Sequence, residues 1–273
     1  MAEDYGLFGP GSVTWRVMGE PIQVIGGFRA LLMQGLHPRA MRGVAQNSSL
    51  MDPRESWARL QRTVEFVRVR TYGTLPEVER AGARVRKIHA TLTAYDPDTG
   101  ERFRLDDPDA LLWVHVGEVD SYLDVARRAG VRLSDEDADA FVAEWRRAAQ
   151  VVGLDPADVP GSVGEMREYI RSMRPRLYFV DEAPHPLRQS VNAPLPRRLT
   201  PLKPAFPLIT LLGFATLPRW ARRLYGLPGN PVGDLGATLA LSALHRGTLI
   251  LPDRLRYSPD SRRARELTAS LAG

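Results

Sequence analysis

Apolar residues recur along most of this chain at the three- and four-residue spacing of a helix face, and polar capping signals punctuate them. The clearest stripe is Val78, Ala81, Val85, Ile88 and Leu92; a second joins Leu112, His115, Val119, Tyr122 and Ala126. Helix starts are marked by side chains that can accept hydrogen bonds from the free backbone N–H groups of a first turn. Asp52-Pro53-Arg54-Glu55 predicts a helix running to about Arg70, and Thr74-Leu75-Pro76-Glu77 a second through about His89 or Ala90. Asp107-Pro108 opens another, which Gly130 stops. Ser134-Asp135-Glu136-Asp137 opens a helix ending before Gly153, and Ser162-Val163-Gly164-Glu165 one ending before Pro175. Leu208 to Ile250 is apolar and helical in pattern, and a basic helix follows from about Ser258 to Leu271.

Two segments break the helical rhythm. Between Thr91 and Leu105, the turn residues Asp96-Pro97-Asp98-Thr99-Gly100 are flanked by Leu92, Tyr95, Phe103 and Leu105, which predicts a short β-hairpin. Residues 182–207 are crowded with proline and are not expected to form regular helix. Such a stretch either divides two domains or straps one, and the strap is the favoured reading. The expected fold is therefore mainly α: a single helical domain over residues 1–273 with one short β-hairpin.

Composition narrows the chemistry. With 44% hydrophobic and 25% charged residues, the chain is that of an ordinary globular protein. Cysteine is absent, which removes disulfides, thiolate nucleophiles, zinc–thiolate sites and iron–sulfur clusters. Net charge is +5, but the arginines are interleaved with acids and no nucleic-acid motif accompanies them, so no nucleic-acid partner is expected. Glu3 and Asp4 stand where a signal peptide would be basic, and no stretch of about 18 uninterrupted apolar residues occurs, so a cytoplasmic protein is expected. Gly-x-Ser-x-Gly, Gly-x-Gly-x-x-Gly, Walker and His-Glu-x-x-His patterns are missing, and the residues three before His37, His89 and His115 are Gln34, Arg86 and Leu112, so no paired Glu-x-x-His di-iron signature is read.

The chemistry left rests on five histidines. His89 lies beside Ile88, four residues after Val85 and three before Leu92, so its ring is directed into or along the interior. A buried imidazole is disfavoured as a cation but is a good neutral iron ligand; it is equally a core histidine bonded to a carbonyl. His115 repeats the pattern on the next long helix, so the two rings either share a pocket or form a core pair. His37, in Gln34-Gly35-Leu36-His37-Pro38, stands at a helix end; His185 and His245 read as structural or surface residues. Arg70 and Thr74 flank a two-helix junction where a guanidinium and backbone N–H groups could meet an anionic group such as a haem propionate, although Thr74 is explained as an N-cap and Arg70 could be solvent-exposed.

Arg62-Thr63, Arg70-Thr71-Tyr72-Gly73-Thr74, Val85-Arg86-Lys87-Ile88-His89, Asp106-Asp107-Pro108 and Leu112-Trp113-Val114-His115 occur in that order. Trp15-Arg16, Arg29 to Gln34, His37-Pro38, Leu217-Pro218 to Arg223 and Leu251 to Arg254 complete the series. Over about residues 12–265 this resembles the catalytic domain shared by rubber oxygenases (latex clearing protein) and the MpaB oxygenase of mycophenolic acid biosynthesis. The resemblance implies a mostly helical fold holding haem b, with His89 as the axial iron ligand. It implies that Arg70 and Thr74 correspond to an Arg-x-x-x-Thr element with catalytic and haem-binding roles, and that His115 forms or supports the haem pocket. Rubber oxygenase has a lysine before that threonine, capping the distal iron face, and a second histidine five residues after the proximal one. Gly73 and Ala94 stand at these positions here. The distal face is then open or served by another residue such as His37. The implied activity is a haem-dependent oxygenase using dioxygen or peroxide on a hydrophobic small molecule. A non-catalytic haem carrier or sensor would share these features. Basicity and Trp220-Ala221-Arg222-Arg223-Leu224 also fit a helical protein making peripheral membrane contact.

Overall fold

The computed structural model describes residues 4–47, 53–180 and 205–272. Its helices begin where side chains satisfy the first-turn N–H groups. Asp107 accepts from Asp109 N at 3.0 Å and Pro108 follows it, opening α6 (Pro108–Ala129); Gly130, at φ 86°, closes that helix. Ser134 and Asp137 bond reciprocally, each at 3.0 Å, to open α7 (Asp135–Val151), and Ser162 accepts from Glu165 N at 3.2 Å to open α8 (Val163–Met173). At α5 (Leu75–Thr91), Glu77 accepts from both Thr74 N at 2.9 Å and Thr74 Oγ1 at 3.0 Å. The helix expected after Asp52 is α4 (Pro53–Tyr72).

The first third of the chain also folds as helix: α1 (Val13–Met18), α2 (Gln23–Gln34) and α3 (Pro38–Asn47). Capping signals do not announce α2, because no side chain caps it; packing makes it. It lies along α6, the central helix, with Gly26 at their crossing, where an added Cβ would lie 2.8 Å from the Tyr122 ring. Trp113 and Tyr122 of α6, Met33 of α2, Phe141 and Trp145 of α7 and Met166 of α8 form the main core. A smaller core joins Ile22 and Ile25 to Val125, Leu212 and Leu241.

Leu212 belongs to α9 (Ala205–Ala215) and Leu241 to α11 (Pro231–Leu249), with α10 (Arg219–Leu224) between them. Pro207 sits in the first turn of α9, where no intrahelical N–H is required, so helix reaches further into the proline-rich stretch than the pattern allowed. The rest of the expected strap, residues 182–204, lies outside the described residues. α12 (Asp253–Arg256) and α13 (Pro259–Ala272) end the chain, the latter being the expected basic helix. One face of α11 is buried through Ala237, Leu241 and His245; the opposite face presents Val232, Leu235 and Leu239 to solvent. Among the described residues no helix is long and apolar enough to cross a membrane.

The hairpin pairs β1 (Thr93–Asp96) with β2 (Glu101–Arg104), antiparallel, with Thr93 opposite Arg104. α3 clasps its free edge. Gln46 both donates to Tyr95 O at 2.7 Å and accepts from Tyr95 N at 2.8 Å, standing in for a third strand. Arg42 pairs with Asp96 and, at 2.7 Å, with Asp98. The fold is mainly α with one short hairpin, as the pattern predicted.

The N-terminal turn holds the corner between α4 and α5. Leu75 N, the first helical N–H of α5, donates to Asp4 at 2.9 Å, and Trp15 Nε1 donates to Thr71 O at 2.8 Å. Gly6 has φ 72°, and a Cβ there would lie 2.0 Å from Gly73 O. Only glycine meets both constraints.

Candidate active site

α4 and α5 do not close tightly on the rest of the molecule. Between them and α2, α3 and α6 lies a cavity of about 1310 Å³, with the hairpin end at one side. That volume exceeds the roughly 300–1,000 Å³ of pockets for drug-sized ligands. Ala81, Val85 and Ile88 of the α5 stripe face it, joined by Phe66 from α4 and Leu31 from α2. This explains why the stripe is incompletely buried: Ile88 is 42% exposed because it lines space rather than core.

His89 and His115 both line this cavity. His89 Nδ1 is buried without a hydrogen-bond partner, and burial lowers the ring's pKa below 6.5 against a smaller opposing effect from Asp106. His115 is 3% exposed, and neither ring nitrogen has a partner. Burial, with the Arg70 charge adding to it, pushes its pKa down to about 3. Both rings are therefore neutral at physiological pH, each keeping a nitrogen lone pair. Of the two arrangements left open by the sequence, the shared pocket is the one found.

Arg70 also lines the cavity, but it is neither solvent-exposed nor free for an anionic ligand. Its Nη2 pairs with Glu118 Oε1 at 2.5 Å, and its guanidinium lies 4.7 Å from the Trp145 ring centroid and 5.4 Å from that of Phe66. Thr74 stands at the exposed start of α5, bonded to Glu77 and outside the cavity wall. His37 is also outside that wall. It is buried between α2 and α3, where its Nδ1 accepts from Ala40 N at 3.3 Å, so its Nε2 carries the proton and donates to Asp109 at 3.2 Å. Burial lowers the His37 pKa despite the Asp109 bond. Of the remaining histidines, His245 is buried beside Glu20, 3.7 Å away, and His185 lies outside the described residues.

The sequence reading passed over part of the wall. Arg59, Arg62 and Thr63 of α4 line the cavity, as does Arg84 of α5. Burial, and the neighbouring Arg62 charge, lower the Arg59 pKa. Arg62 and Arg84 form no ion pair among the described residues. The signal for this group was present: Arg59-Leu60-Gln61-Arg62-Thr63 has the same Arg-x-x-x-Thr spacing as Arg70 to Thr74, with a basic residue immediately before the threonine. Among the described residues no three His, Asp or Glu side chains converge as a cage for a bare metal ion. A porphyrin iron needs only one protein imidazole.

A family model described as the catalytic domain of ER-bound oxygenase mpaB/B′ and rubber oxygenase matches residues 15–247. The chain belongs to this family. No curated protein matches, and no solved structure matches. Membership of the mpaB/rubber oxygenase family gives the domain an oxygenase role, and the cavity walled by α2, α4, α5 and α6 lies within the matched span.

The neutral histidines set a pH dependence. His37, His89, His115 and His245 all have folded pKa values below 6.5, the largest cause in each case being burial. As pH falls, the unfolded chain takes up protons first, so these groups contribute stability in full above pH 6.5 and lose it below. His115 alone approaches a slope of about 1.4 kcal/mol per pH unit, sustained toward its folded value. Urea midpoints should therefore drop steadily from pH 7 to pH 4.5, and less steeply in His115→Asn. A flat profile over that range would contradict the assignment of these rings as buried and neutral.

Proposed function

We propose that the cavity would hold haem b, that His89 would ligate its iron, and that the protein oxygenates a hydrophobic small molecule with dioxygen or peroxide. One observation carries this reading: a neutral imidazole, its Nδ1 buried and without a partner, stands on the wall of a cavity of about 1310 Å³ in a chain of an oxygenase family. The haem would supply binding and activation of the oxidant at its iron.

The protein's own residues fit that group. His89 stays unprotonated because the wall around it desolvates a cation, which keeps its lone pair available. Arg62 and Arg84 would hold the two propionate carboxylates, since guanidinium forks match carboxylates and these two share the wall. The aliphatic and aromatic lining from α2, α4 and α5 favours an apolar substrate. Arg70 is already paired with Glu118, and its charge adds to burial in keeping His115 neutral, so it is not the residue to meet a propionate.

The test is an absorption spectrum of protein purified from haem-replete cells, as isolated and after reduction under carbon monoxide. A Soret band that shifts with carbon monoxide is expected. A low-spin spectrum indifferent to carbon monoxide would make the protein a haem carrier, and absence of any haem band would remove the proposal.

A further inference from the structure

The inner corner of the cavity, where α6 meets the end of α4, holds an unusual set of unmatched polar atoms. His115 and Glu118 stand one turn apart on α6, and Arg70 reaches them from α4. His115 is 3% exposed, with both ring nitrogens unpartnered. Arg70 is 4% exposed, and its Nε is buried without a partner. Glu118 gives Oε1 to Arg70, while its Oε2 accepts no hydrogen bond among the described residues. The His115 ring nitrogens and Arg70 Nε are buried without partners, an unfavourable state for polar groups, so the corner is built to receive something.

Its chemistry selects what. The Arg70 and Glu118 charges cancel and His115 is neutral, so the corner carries no net charge. It offers donors (Arg70 Nε–H and one His115 N–H) together with acceptors (the other His115 nitrogen and Glu118 Oε2). A hydroxyl both donates and accepts and matches that set. A carboxylate cannot donate and would face Glu118; an ammonium would face Arg70; a pure hydrocarbon would leave every orphan unpaired.

We propose that this His115–Glu118–Arg70 corner binds a neutral hydroxyl, alcoholic or phenolic, borne by an otherwise apolar substrate, and so orients that substrate in the cavity. This rests on the proposed function only in taking the cavity as the substrate's site. His115 and Glu118 are then specificity-determining residues rather than supports for the haem.

The test is isothermal titration of the protein, as isolated, with three probes of one shape: p-pentylphenol, pentylbenzene and p-pentylbenzoate. Pentylbenzene is the most apolar, so the hydrophobic effect alone would make it the tightest ligand. The proposal expects the phenol to bind at least about tenfold tighter than either analogue. His115→Leu should abolish its advantage over pentylbenzene, and His115→Asn should restore part of it. Glu118→Gln, which removes the anion at constant shape, should raise benzoate affinity. Equal binding of phenol and pentylbenzene to the wild type overturns the proposal, as does a preference that survives His115→Leu. Should circular dichroism show the leucine variant unfolded, Glu118→Gln decides: unchanged benzoate affinity counts against the corner. A missing Soret band removes the haem reading and leaves these selectivities as they are. Lost selectivity with an intact band removes this proposal alone.

Discussion

His89→Ala protein purified from haem-replete cells is expected to have lost nearly all Soret absorbance while keeping its helical circular dichroism. The ring contributes little to packing: it is one of the half-buried residues on a helix face that lines space, and its Nδ1 bonds to nothing. Removing it should therefore cost the fold little. It should cost the cofactor its only strong protein bond, and since even changes behind a metal ligand reduce metal affinity by about 10–100-fold, loss of the ligand itself should exceed that. Added imidazole should enter the space vacated and restore part of the band, which a general structural defect would not permit. His115→Leu should retain haem. If His89→Ala keeps an unshifted Soret spectrum, iron is not held by this residue.

Arg29→Met should produce a large loss of stability at the α2–α6 crossing. Arg29 is 2% exposed, and its Nη1 lies 2.8 Å from Asp120 and 2.7 Å from the Ser121 hydroxyl. Its Nε also donates to Thr216 O at 3.3 Å, tying the end of α9 to the helix pair. Breaking a buried ion pair from one side costs about 3–5 kcal/mol. Asp120 and Asp124 keep some access to water, which places the expected loss near the lower end, about 3 kcal/mol. For a chain of this size that corresponds to a fall in Tm of roughly 6–12 °C. Asp120→Leu in the Arg29→Met background should recover part of it, because an apolar pair replaces an orphaned charge. A loss below about 1 kcal/mol by urea unfolding would mean that the pair is worth no more than a surface ion pair.

Much of the fold was legible because its signals are local. A cap bonds within three residues, so Asp107-Pro108, Ser134 to Asp137 and Ser162 to Glu165 mark α6, α7 and α8 without knowledge of anything else. The hairpin is equally local, its turn closed by Gly100 at φ 74°. Of α2 only the end was legible, at Gln34 to His37; its start has no side-chain cap, and it packs through Gly26 against Tyr122, far along the chain. The site divides in the same way. The inward aim of His89 and His115 follows from helical spacing. The fate of Arg70 depends on Glu118 of another helix, and no spacing rule reveals a partner brought by tertiary packing. The Arg-x-x-x-Thr element occurs twice; Arg62, the basic residue before Thr63, was the one local mark that set the first copy apart, and the cavity wall, which includes Thr63 and leaves out Thr74, agrees with it.

The clasp at the α4–α5 corner has a practical side. The helix that carries His89 starts from an N–H group held by Asp4, and the joint beneath it admits nothing bulkier than Gly6. Deleting residues through Gly6 would leave the Leu75 N–H without its Asp4 partner and free the elbow on which two walls of the cavity turn. Proteolytic trimming at the front of the chain would then weaken retention of the proposed haem without touching a single lining residue.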